Sequence, residues 1–139
     1  MLKPGAYEVD GIRFATLGDI PVRLQGVTPL ALSVVHEYRI MPAASYRREW
    51  TGQVAGYRYE IRHAKGPMIL AFHWHPEGLS RVTMPHLHVG GPIQGVDLAK
   101  AHVPAGVITL AGVVAFLITD LGVRPFRDDW RTVLLTENH

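Results

Sequence analysis

Two His-x-His pairs stand out by residue type and spacing. His73 and His75 form the first, His86 and His88 the second, all within sixteen residues. Imidazole binds transition metals when neutral and moves protons near neutral pH. On a β-strand, alternate side chains share a face. Each pair would then present both rings on one side, with Trp74 and Leu87 on the other. Pro76, Gly78 and Ser80 lie between the pairs and mark a turn. A hairpin would gather all four rings. Three roles stay open. His73, His75, His86 and His88 can hold a divalent transition metal such as zinc. His75, His86 and His88 can act as metal-free acid–base groups. The rings can also be structural, spent on strand-edge hydrogen bonds. Glu77 is a candidate general base or fourth ligand.

A basic strand precedes these pairs. Tyr57, Tyr59 and Ile61 alternate with Arg58, Glu60 and Arg62, the pattern of a strand with one buried face. Arg58 and Arg62, with Lys65 at the following turn, are candidate substrate-binding residues. Arginine supplies 11 of the 14 basic side chains, and its planar fork suits phosphate. Histidines on the same face would complete an anion-binding surface able to act on RNA or another phosphate ester. A solvated face with Glu60 pairing its neighbours is the plainer alternative. Tyr38, Tyr46 and Trp50 are able to stack on bases or to fill the core. His102, near the end of a glycine-rich stretch, is a residue that a loop can deliver to the site. His36, His63 and His139 read as structural or solvated.

The elements that must position these groups follow from pattern. Residues 6 to 17 read as a hairpin about Asp10-Gly11. Leu30 to Met41 reads as a strand, Tyr46 to Thr51 as another ended by Gly52, and 57 to 62 as a third. Met68 to His75 is its partner after the turn at Lys65-Gly66-Pro67. His86 to Val89 is a short strand, and 90 to 106 a long loop. Thr109 is an N-cap and Gly122 a C-terminal stop for an apolar helix that should be largely buried against Tyr57, Tyr59 and Ile61. Asp128-Asp129 begins a second, shorter helix carrying Trp130, Val133 and Leu134. The fold class is α+β: an antiparallel sheet of about five to seven strands, a buried C-terminal helix and a short terminal helix, in one domain over 1–139.

Composition sets the limits. At 47% hydrophobic and 19% charged residues the chain is a globular protein. It contains no cysteine, which removes disulfides, thiolate metal sites and cysteine nucleophiles. No apolar leader follows Met1, and a cytoplasmic location is expected. Residues 103 to 119 carry no charge, but Pro104 and Gly106 interrupt them, so a buried helix is expected rather than a membrane span. No phosphate-binding glycine loop, Gly-x-Ser-x-Gly elbow or His-Glu-x-x-His motif is present.

The succession Tyr57-Arg58-Tyr59-Glu60, Phe72-His73-Trp74-His75-Pro76 and Pro85-His86-Leu87-His88-Val89-Gly90, followed by an apolar helix, resembles the TumE-like toxins of toxin–antitoxin pairs. The likeness spans roughly residues 45 to 121. It implies a nuclease-like activity on cytoplasmic RNA and a helix-turn-helix antitoxin as partner; a homodimer is also compatible. A non-catalytic interaction module and a small histidine-liganded metal enzyme are the competing expectations.

Overall fold

A computed structural model describes residues 5–9, 12–18, 20–42, 50–77, 81–98 and 100–136. The strands, in chain order, are β1 (Gly5–Val9), β2 (Ile12–Gly18), β3 (Val22–Leu24), β4 (Leu30–Pro42), β5 (Trp50–His63), β6 (Met68–Trp74), β7 (His86–Val89), β8 (Pro92–Ile93), β9 (Val96–Asp97) and β10 (Val103–Pro104). Two helices follow, α1 (Leu110–Thr119) and α2 (Trp130–Thr136). The main sheet is antiparallel and eight-stranded, in the order β1-β2-β4-β5-β6-β7-β10, with β3 pairing the near end of β4. β8 and β9 form a separate hairpin. The fold is therefore α+β, as expected. No helix among the described residues is long and apolar enough to cross a membrane.

The core lies between one sheet face and α1. Leu30, Leu32, Tyr57, Tyr59 and Ile61 pack there with Val113 and Leu117 of the helix. Ile61 and Val113 are wholly buried. This is the face that the alternation of 57 to 62 marked as apolar. Thr109 caps α1 as its hydroxyl would suggest, accepting the Gly112 N–H at 3.0 Å. Gly122 takes φ 70° just beyond the helix, a backbone conformation glycine adopts at little cost. Only Ala111, Val113 and Leu117 of α1 are buried; the flanks are half-exposed. Trp130, Val133 and Leu134 of α2 line a cleft with Val114, Leu117 and Ile118.

Two expectations need correction. Gly52 does not end a strand: β5 runs unbroken from Trp50, because the long β4 supplies partners from Leu30 to Pro42, with one register shift between Glu37 and Tyr38. Residues 90 to 106 are not a featureless loop, for they hold β8, β9 and β10. The antiparallel sheet is of the expected kind, and its count reaches eight with the three-residue β3 and two-residue β10 included. The Asp10-Gly11 turn, Tyr46 and His139 lie outside the described residues.

Candidate metal centre

The histidines occupy the sheet face opposite the core. In the β5–β6 ladder, Tyr57 faces Trp74 and Tyr59 faces Phe72, while Arg58 faces His73. In the β6–β7 ladder, His73 faces His86 and Ala71 faces His88. The two His-x-His strands are thus direct neighbours. The short β10 pairs Val103 with Leu87 and delivers His102 to the same place.

His86 is the hub of five rings. Its ring centroid lies 5.5 Å from His73, 5.3 Å from His75, 5.2 Å from His88 and 4.9 Å from His102. Two triplets, His73–His75–His86 and His86–His88–His102, each bring three ligand nitrogens within 4.8 Å of one another. Zinc–nitrogen bonds near 2.0–2.1 Å put tetrahedral ligands about 3.4 Å apart. A bound zinc would draw the nitrogens together by at most about 1.4 Å.

His86 is 2% exposed, and its Nδ1 lies 2.8 Å from the Met84 carbonyl oxygen. A carbonyl only accepts, so Nδ1–H donates. In the neutral ring this fixes the tautomer and leaves the lone pair on Nε2. That nitrogen is buried and hydrogen-bonded to nothing among the described residues. An imidazole held by a backbone carbonyl through one nitrogen, with the other bare, is the usual arrangement of a metal ligand. His73 Nε2 is likewise buried without a hydrogen bond. Burial pushes the His73 pKa down to about 4, with further lowering from His88, His86, His75 and Arg58. Its ring is neutral at physiological pH and needs no deprotonation to bind a metal.

The other candidates divide. Arg58 shares the histidine face and stands beside His73. Arg62 is engaged by Glu60. Lys65 lies in the β5–β6 turn, by Pro67 at the opposite end of the ladder from His73, and lines a cleft with Arg23 and His63. Glu77 is exposed and lines a separate cleft with Arg39 and Gln53; it belongs to neither triplet. The turn begun by Pro76 carries it away. His36 is structural, with Nδ1 2.9 Å from the Tyr38 hydroxyl and Nε2 2.7 Å from that of Tyr59. Tyr38 is thereby engaged in the fold, Trp50 is exposed, and His63 is exposed near its turn. The Met84 carbonyl, a backbone group, had no signature in the sequence.

No protein-family model, curated protein or solved structure matches this chain. Its functional reading rests on the geometry of the site.

Proposed function

We propose that the histidine face is a mononuclear transition-metal centre acting on a phosphate ester, with RNA as the substrate class. The observation that carries this is His86: a buried ring, oriented by the Met84 carbonyl, whose bare Nε2 sits among four other imidazoles. Three imidazoles and an open position suit zinc, which lowers the pKa of bound water to near 7 and polarises a phosphoryl oxygen. His102, which is exposed, and His75 would move protons when not serving as ligands. Arg58, next to His73, supplies a fixed positive charge for the phosphate. The resemblance to TumE-like toxins supports an RNA target. Under that reading the partner is a helix-turn-helix antitoxin and the site of action the cytoplasm.

The test is cleavage of single-stranded RNA by protein reconstituted with zinc or manganese. Cleavage should stop with a chelator and return on adding metal. Arg58→Ala should lower kcat/KM about ten- to a hundredfold, the worth of one charge-assisted contact. A metal-loaded protein that leaves RNA and simple phosphodiesters intact would overturn the reading.

A further inference from the structure

The opposite sheet face holds a second, unrelated site. Its strands outrun the ten-residue helix α1. Where the helix begins, a cavity of about 840 Å³ opens between β4, β5 and the segment 107–111. Its walls are Val34, Val54, Trp74 and Ile108, with the rings of Tyr57 and Tyr59, and among the described residues no Asp, Glu, Lys or Arg lines it. Tyr57 and Tyr59 stack there, centroids 4.6 Å apart at 8°. This volume and lining are those of a small-molecule pocket.

Proton counting defines what the pocket offers. Burial holds the His36 pKa below its ordinary value, so the ring is neutral with one N–H and one bare nitrogen. Both nitrogens are bonded to hydroxyls, those of Tyr38 and Tyr59. One tyrosine must accept the N–H and the other must donate to the bare nitrogen. The accepting tyrosine keeps its own hydrogen. Tyr57 is in the same position: its oxygen accepts the Ile108 N–H at 2.9 Å, which leaves its hydroxyl hydrogen unspent. Tyr57 is 5% and Tyr59 1% exposed. One hydroxyl hydrogen on Tyr57 and one on either Tyr38 or Tyr59 therefore remain without an acceptor among the described residues, and a buried donor such as that of Tyr57 left unmatched is costly. Burial also raises the pKa of Tyr57 and Tyr59, so they donate as neutral phenols.

We infer that this cavity binds a neutral, largely apolar aromatic molecule carrying a carbonyl-type acceptor, which takes up the spare tyrosine hydrogens. An anion would be desolvated there with no cation among the described residues to meet it. A hydrocarbon would leave the donors unmatched. The site is independent of the histidine face.

The test uses the neutral aromatic ketone Prodan and an analogue lacking its propionyl group. Wild-type protein should bind Prodan saturably, one per chain, with blue-shifted emission. The ketone-free analogue should bind about five- to tenfold more weakly, the loss expected for one neutral hydrogen bond. Val54→Trp, which fills the cavity, should abolish binding of both while the protein still melts cooperatively. Tyr57→Phe should reduce the preference for the ketone; a merely structural loss would weaken both probes equally and keep it whole. No saturable binding to folded wild type, equal affinity for both probes, or undiminished binding to folded Val54→Trp would each overturn the inference.

Discussion

His73 and His86 face each other directly across the β6–β7 ladder, with ring centroids 5.5 Å apart at 73°. Each has a buried Nε2 with no hydrogen bond among the described residues. Two such rings side by side on rigid strands are poorly explained as structural groups, since buried polar atoms are ordinarily satisfied. They are well explained as ligands.

The triplet His73–His75–His86 should dominate binding. His73 lies in β6 and is half-buried, with His75 directly after the strand, whereas His102 is exposed just before the two-residue β10. His73→Ala should weaken zinc affinity by at least about tenfold, and His102→Ala by less. Competition against a chromogenic chelator reads both. A larger loss in His102→Ala would move the centre to His86–His88–His102.

The metal-free fold should lose stability in mild acid. The folded pKa of His73 is about 4, below the unfolded value of 6.5; that of His36 is also lowered. Between these limits the unfolded chain binds protons that the fold refuses. Stability is therefore complete above about pH 6.5 and declines as pH falls toward 4. Urea midpoints at pH 7.5 and pH 4.5, with chelator present, should show the drop. Removing the ring with His73→Phe should shrink it.

Register at the site depends on Gly90. A Cβ there would lie 1.9 Å from the Met68 carbonyl oxygen, while the Gly90 N–H bonds to the Ile69 carbonyl at 2.8 Å. Gly90→Ala must push β7 from β6. It should cost roughly 3 kcal/mol and weaken metal binding at the same time, measured by denaturant unfolding and by chelator competition.

Leu117→Ala separates the two faces. This side chain is 1% exposed, so its truncation should cost about 2–5 kcal/mol. Metal affinity, set on the other side of the sheet, should stay within about twofold. A parallel loss of metal would mean the faces are coupled.

The period-2 pattern around Arg58 and in both His-x-His pairs made the two faces legible, because strand geometry fixes side-chain direction. The capping of α1 by Thr109 was equally local. His102 was visible only as a residue that a loop can bring, since the two-residue β10 leaves almost no periodic trace. Glu77 misled by adjacency: one proline-led turn sends a neighbour in sequence to a different cleft. Lys65 looked close to Arg58 in sequence, yet the length of β6 separates the turn from the histidines.

The most direct measurement is metal stoichiometry by elemental analysis of zinc-reconstituted, desalted protein, wild type against His86→Ala. His86 is shared by both triplets but has only Nε2 to give, because Nδ1–H is held by Met84. One metal ion per chain is therefore predicted, lost in the folded variant. No retained metal, two ions per chain, or one ion still held tightly by His86→Ala would contradict the account.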